Sequence, residues 1–299
     1  MKRIELMELV RERQVGGIDR RDFLIRATAV LGSAAAANTL LAACAPFAGS
    51  TPPPVVDATQ PTPEPGLSTS GELETGIVTY AGPDGEELMG YLARVPGQEA
   101  QPVVIVIQEW WGLNEHIKDV TRRFAAEGYV ALAPDLYHGQ VTTEPDEARK
   151  LAMELGMGDA VGEIQAAMAY LRAQDFASDQ VGIVGFCMGG GLVLQTAAAD
   201  NTVSAVIPFY GQPVTAADAQ QISAPVLSFL GTRDGISASA YETMHEAIEA
   251  NGIPNHFQLY EGAQHAFFND TRASYAPEAA GDAWMRTLTW FDEYLSPDV

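Results

Sequence analysis

The chain of 299 residues is poor in three things that often decide how a protein is held together or what it binds. It has only two cysteines, Cys44 and Cys187, in unrelated contexts, so no disulfide framework is suggested. Basic residues are scarce, 17 Lys and Arg against 39 Asp and Glu, and the net charge of −22 argues against binding nucleic acid or anionic lipid through a basic patch. Its five histidines and two cysteines form no cluster with zinc-site spacing, so neither a metal nor a cofactor is expected. Ala27 to Ala43, the apolar stretch near the start, is too alanine-rich and mild for a confident membrane-spanning helix. What the chain does have is apolar content, 47%, ample for one large α/β domain or two small ones.

The first 43 residues read as an address. Arg20-Arg21 stand just before the apolar stretch, as in twin-arginine export signals, and Leu41-Ala42-Ala43-Cys44 looks like a lipobox, with cleavage before Cys44 and acylation of its thiol. The bland alternative is an alanine-rich helix with two arginines by chance. Removing residues 1–43 leaves a mature chain of −24, so the acidity belongs to the exported part and reads as solvated surface. Residues 44–70 follow as a Pro/Thr-rich linker, with Pro52-Pro53-Pro54 and prolines 61, 63 and 65 excluding helix and central strand. The predicted location is therefore extracytoplasmic, with membrane contact only through a lipid on Cys44.

Residues 71–299 carry the rest. The pattern predicts an opening hairpin around Gly82-Pro83-Asp84-Gly85, and Val103 to Ile107 is a continuous apolar run expected of a strand buried on both faces. Helices are predicted over Glu115 to Glu127, Glu144 to Leu155, Asp159 to Arg172, Ser239 to Ala250 and a final segment bearing Trp284, Leu288, Phe291 and Leu295. Further strands are predicted at Tyr129 to Ala133, Val181 to Val184, Val203 to Phe209, Pro225 to Leu230 and His256 to Tyr260. This alternation predicts a single α/β domain, a mainly parallel sheet with helices on both faces.

Val181 to Gly191, VGIVGFCMGGG, reads as strand, sharp turn and helix with one reactive side chain at the corner. This is the G-x-nucleophile-x-G elbow, with cysteine where serine usually stands. The helix start behind the corner favours a thiolate. The competing reading is a buried cysteine in a Gly-rich turn, which is common. In open α/β sheets functional groups gather at the carboxyl ends of strands, and two more ends carry matching chemistry: Asp234 after Leu230, and His265 after the last strand. Nucleophile, acid, histidine is the chain order of α/β-hydrolases. His265 would take the Cys187 proton and later activate water, while Asp234 orients the imidazole. Backbone N–H groups of Met188 and of the loop Gln108-Glu109-Trp110-Trp111, at Trp110, would form the oxyanion hole. Glu109, a carboxylate beside two tryptophans, must be paired or costly to bury. Of the other histidines, His245 is expected on a surface helix, His256 within a strand, and His116 and His138 either beside the pocket or structural.

Gln108-Glu109, Pro134-Asp135-Leu136-Tyr137, Gly185-Phe186-Cys187-Met188-Gly189-Gly190, Asp234 and Gly262-Ala263-Gln264-His265-Ala266-Phe267 together resemble the dienelactone hydrolase family. The resemblance spans roughly Gly71 to Leu295. It implies an α/β-hydrolase fold, a Cys187–His265–Asp234 triad acting on a small-molecule lactone or ester, and a Glu109 that contacts the resting thiol and helps form the thiolate when substrate binds. It also implies arginines that grip a substrate carboxylate, one shortly after the histidine. Here that neighbourhood reads Phe267-Phe268-Asn269-Asp270, with Arg272 nearby, and Arg149 stands as the other candidate. Tyr137, Trp111 and Phe267 complete the expected substrate side. An apolar mouth would favour a neutral ester or lactone. The alternatives are a broad carboxylesterase or thioesterase, and a surface-tethered binding protein on a retired hydrolase fold.

Overall fold

In a computed structural model the described residues are 66–70, 72–97 and 100–296, with Arg26 alone before them. The export signal, Cys44 and all but the end of the linker lie outside the described residues. Everything below belongs to the unit spanning Asp57–Val299.

Among the described residues nine strands form one sheet: β1 Gly66–Ser70, β2 Leu73–Ala81, β3 Glu87–Arg94, β4 Gln101–Ile107, β5 Val130–Pro134, β6 Ala177–Phe186, β7 Ala205–Phe209, β8 Val226–Arg233 and β9 Asn255–Gln264. Their order is β1-β2-β3-β5-β4-β6-β7-β8-β9, antiparallel from β1 to β5 and parallel from there on. The helices are α1 Glu115–Ala126, α2 Pro145–Glu154, α3 Met157–Arg172, α4 Met188–Ala199, the single turn α5 Ala216–Ala219, α6 Ala238–Glu249 and α7 Pro277–Tyr294.

The apolar run of β4 explains its place. Val103 to Ile107 are fully buried, with β5 on one side and β6 on the other. From β4 the chain goes to β5 on one side, then returns past β4 to β6 on the other. Chain order reverses there, and a crevice opens beyond the carboxyl ends of such strands. Helix α1 begins where Asn114 accepts a hydrogen bond from the Ile117 amide (3.1 Å) and buries Ile117, Val120 and Phe124. Phe124 packs on Trp284 (4.6 Å between ring centroids) and Phe291 (5.9 Å) of α7, so these two helices share one face. Helix α7 lies so close that a Cβ on Gly182 of β6 would meet the Phe291 ring at 2.6 Å. Helices α3, α4 and α6, linked through α5, cover the other face.

The domain begins earlier than the sequence pattern suggests. β1, Gly66–Ser70, pairs antiparallel with β2 although it falls in the stretch read as linker. An edge strand bonds only one neighbour and asks little of its side chains, and the last proline, Pro65, stands just before it. The other extension matters more. β9 runs to Gln264, and its ladder with β8 shifts register near the end.

Candidate active site

Cys187 sits between β6 and α4 with φ 55° and ψ −114°, a conformation that L residues avoid at a cost of about 1–3 kcal/mol. Its surroundings hold it there. The Cys187 amide donates to the Phe209 carbonyl (3.0 Å), and its own carbonyl accepts from the Gly190 (3.0 Å) and Gly191 (3.3 Å) amides. Gly189 explains the glycine run: a Cβ there would stand 2.5 Å from the Ile107 carbonyl oxygen and 2.6 Å from that of Gln108. The helix start is thereby pressed against the end of β4. Cys187 is a free, half-buried thiol at the N-terminus of a helix with no acidic residue in its first turn.

His265 reaches the site through a bulge. The β8–β9 ladder runs from Val226↔Asn255 to Gly231↔Tyr260 and resumes at Arg233↔Gln264, two residues longer on β9. Gly262 makes the detour with φ 75°, and its amide donates to Thr232 Oγ1 (2.8 Å). The residues after the resumed pair are Asp234 and His265, and His265 Nδ1 lies 3.0 and 3.2 Å from the Asp234 carboxylate oxygens. Asp234 is almost fully buried, with the Ile236 amide also donating to it (3.0 Å), whereas the imidazole is 41% exposed. Burial pushes the His265 pKa down, but hydrogen bonds to Asp234 and Cys187 and the charges of both outweigh it, raising it to about 10. The edge-on ring of Tyr210, 5.1 Å away between centroids, packs against the imidazole.

Glu109 is 1% exposed at the end of β4. Among the described residues its hydrogen-bond partner is Asn269, whose Nδ2 donates to Oε2 at 2.7 Å. Asn269 begins a short run that ties the loop after His265 to the segment after β4. Asp270 bonds Arg123 (2.5 Å) and lies 3.4 Å from His116 Nδ1. The neighbouring His116 imidazole, with burial opposing and the Arg123 guanidinium adding, holds the Asp270 carboxyl well below its usual range. The Arg272 guanidinium lies over the Trp111 ring, 4.2 Å from its centroid. Trp110 and Trp111 are half-buried neighbours.

The remaining expected residues divide. Tyr137 is buried with its hydroxyl on Met188 Sδ (3.4 Å), and burial, then the nearby Cys187 charge, raises its pKa to about 12. Phe267 is not at the mouth: it is fully buried against Tyr260 and Tyr210, with centroids at 5.2 and 5.4 Å. Arg149 lies exposed on α2, paired with Asp146, and is not brought to the other residues. The exposed His138 pairs with the buried Glu163 (3.0 Å). His245 is not a surface residue: it is buried, bonded to Ser228 and Asn255 (2.9 and 2.8 Å). Among the described residues no group of three or more His, Cys, Asp or Glu could hold a metal.

Sequence reasoning missed Asn269 and Tyr210. Tyr210 follows β7 directly, so the rule that singled out the other strand ends applies to it as well. It is fully buried with φ 39°, its hydroxyl has no partner, and burial, then the charges of Glu109, Cys187 and Asp234, raise its pKa well above the ordinary value.

The model of the dienelactone hydrolase family matches residues 88–295. Among curated relatives, the protein usf of Aquifex pyrophilus is 36% identical over 224 residues, 71% of this chain and 96% of its own. A candidate carboxymethylenebutenolidase of Synechocystis sp. is 35% identical over 246 residues, 75% of this chain and 98% of its own. Among solved structures, a candidate dienelactone hydrolase of Klebsiella pneumoniae superposes with a TM-score of 0.68 at 32% identity, covering 74% of this chain and 99% of its own.

Proposed function

Because the chain belongs to the dienelactone hydrolase family, we propose that it hydrolyses a carboxylic ester or lactone by covalent catalysis at Cys187. The observation that carries this reading is the imidazole of His265, fixed on Asp234 by Nδ1 (3.0 Å) at the strand end beside the elbow, where Cys187 is held in a strained, half-buried conformation. In that arrangement His265 takes the thiol proton as the thiolate forms. The thiolate adds to the substrate carbonyl, and the backbone amides of Met188 and Trp110 donate hydrogen bonds to the developing oxyanion. Collapse breaks the ester C–O bond, and the departing alkoxide takes the proton from His265. The thioester is then opened by water that gives a proton to His265, releasing the acid and restoring the thiol–imidazole pair.

A second reading concerns the substrate. The sequence suggested a mouth without arginine, yet Arg272 rests on Trp111 beside the end of β4. A cation there favours a substrate that carries a carboxylate over a neutral one. Both readings are tested by assaying the full chain and Cys187→Ala on a dienelactone, a neutral lactone and short aryl esters. Hydrolysis lost in Cys187→Ala is expected, and turnover that survives it would remove the proposed nucleophile. Arg272→Ala should raise KM for the dienelactone alone; an equal change on the aryl esters would count against the second reading.

Export and anchoring are part of the same proposal, supported by Arg20-Arg21 and Leu41-Ala42-Ala43-Cys44. Radiolabelled palmitate should enter the wild-type chain in a bacterial host and not Cys44→Ser; label retained in the variant would refute it.

A further inference from the structure

β2 is longer than the edge strand beside it. Among the described residues β1 covers β2 only as far as Gly66↔Ile77, whereas β2 continues along β3 to Ala81. Backbone geometry shows what the uncovered strip offers. The Asp135 amide donates to the Met89 carbonyl (2.9 Å), so Met89 turns its backbone groups toward β5 and away from β2. Thr79, directly opposite Met89, therefore turns its own N–H and C=O away from β3, to the side where β1 lies. Ala81 does the same two residues on, and the Gly82 amide points back across the hairpin to the Glu86 carbonyl (2.8 Å).

Beside this strip lies a groove of about 570 Å³ that the proposed hydrolysis does not use. Tyr80 and Pro83 form one wall, and α3 forms the other with Gly162, Ala166, Ala169 and Tyr170. Tyr80 stacks on Tyr170 (5.2 Å between ring centroids), while the small residues of α3 leave the space above them open.

The chain enters β1 from this direction. Extended in the register of Gly66↔Ile77, positions 65, 63 and 61 fall opposite Val78, Tyr80 and Gly82, and positions 64 and 62 opposite Thr79 and Ala81. The sequence there is Pro61-Thr62-Pro63-Glu64-Pro65. Directly opposed residues share a face of the sheet, so all three prolines fall on the side of Tyr80 and the groove, with Thr62 and Glu64 on the other. Proline has no N–H to give, and the positions opposite Val78 and Tyr80 ask for none, because those two residues turn their backbone groups to β3. Thr62 and Glu64 do have amides, and they fall opposite the residues whose groups are free to pair. Two unrelated requirements, face and donor, select the same alternation.

We propose that residues 60–65, which lie outside the described residues, extend β1 along Thr79 and Ala81 and lay their prolines into the groove between Tyr80 and Tyr170. Proline rings on tyrosine faces are a recurring mode of recognition. The segment clamps the end of the opening hairpin to α3, and the chain joins the domain at Gln60 rather than at Gly66. It does so at the end of the sheet where the parallel strands have their carboxyl ends, because β2 runs in the same direction as β5. The inference is independent of the hydrolytic reading.

Hydrogen exchange of the full chain at pH 7, read by mass spectrometry with residue-resolving fragmentation, tests the pairing. Replacing residues 60–65 by Gly-Ser repeats should speed exchange of the Thr79 and Ala81 amides about tenfold, as loss of roughly one hydrogen bond does, and leave Val78 and Tyr80 unchanged. Pro63→Asp, which sets a charge in the groove, should do nearly as much. So should Ala169→Trp, at an exposed position on the groove wall where the added ring fills the space without disturbing the core. Thr62→Asp, on the opposite face, should change the rate by less than about twofold. Equal exchange in wild type and replacement overturns the proposal, as does an effect of Thr62→Asp that matches Pro63→Asp. Exchange unaltered by Ala169→Trp overturns the docking of the prolines. Protection that fades when the wild-type chain is diluted would assign the strip to a second copy and overturn it too. Aryl-ester hydrolysis should be the same in all these variants, which checks that each is folded.

Discussion

The strand pair β8–β9 carries two three-membered relays centred on histidine, one at each end. At the amino end Ser228 of β8, His245 of α6 and Asn255 of β9 are linked by bonds of 2.9 and 2.8 Å. At the carboxyl end Asp234 follows β8 and His265 follows β9, bonded to each other, and Cys187 of the elbow is the proposed third member. On paper both contain a nucleophile, an imidazole and an orienting group. Their physics differs. Asn255 gives its Nδ2 to the Ile253 carbonyl (2.9 Å), so Oδ1 accepts from His245 Nδ1–H and Nε2 accepts from the Ser228 hydroxyl. That relay is neutral and buried, and burial pushes the His245 pKa down. The other has a carboxylate behind the imidazole, which lifts the pKa to about 10, and it opens to solvent. Location and charge, not the residue trio, separate a staple from the proposed reactive centre.

The comparison breaks most visibly through activity. Cys187→Ala and His265→Ala should each lower kcat/KM for an aryl ester by about 10⁴-fold or more, with little change in melting temperature. His245→Leu should do the reverse. It leaves the buried Ser228 hydroxyl and the Asn255 Oδ1 without their imidazole partner, so urea unfolding should show a loss of about 2–4 kcal/mol while kcat/KM stays within about threefold. A tenfold loss of activity there would mean that the two ends are coupled.

A pH series sharpens the contrast. His265 is raised in the folded protein, from an ordinary 6.5 to about 10, so the native state binds the extra proton. Its stabilisation is therefore complete below about pH 6.5 and is lost as the pH rises toward 10. The stability gap between wild type and Asp234→Asn should narrow over that window when unfolding is measured at several pH values; a gap that widens would give the shift the wrong sign. The smallest effect is expected from Asn255→Asp, which makes the amino-end relay Ser-His-Asp in name. Combined with Cys187→Ala it should yield no hydrolysis and no labelling of Ser228 by a fluorophosphonate, because no substrate reaches it.

Much of this was legible in the chain itself, for identifiable reasons. Val103 to Ile107 reads as a central strand because burial on both faces leaves an uninterrupted apolar run. Cys187, Asp234 and His265 are legible because each follows a strand, in a fixed order. What escaped depends on long-range contacts. His245 looks like a surface residue until β8 and β9 supply its partners, and Phe267 looks like part of the mouth until Tyr210 and Tyr260 enclose it. Asn269 after a histidine loop reads as a turn residue; only the fold sets Glu109, far away in sequence, against its amide. β1 has no strong pattern because an edge strand needs none.

The bulge near the end of β9 has a consequence for how this site tolerates change. Continued without a shift from Gly231↔Tyr260, the ladder would set Ala263 opposite Asp234; the extra pair of residues on β9 brings His265 to that place instead. Because side chains alternate along a strand, an even-numbered offset preserves which face is presented, and an odd one inverts it. The site therefore has a parity. Loss of one residue between Tyr260 and Gln264 would turn the imidazole to the opposite face of the sheet. Loss of two would keep the face and close the bulge, leaving His265 opposite Asp234 in an unshifted ladder.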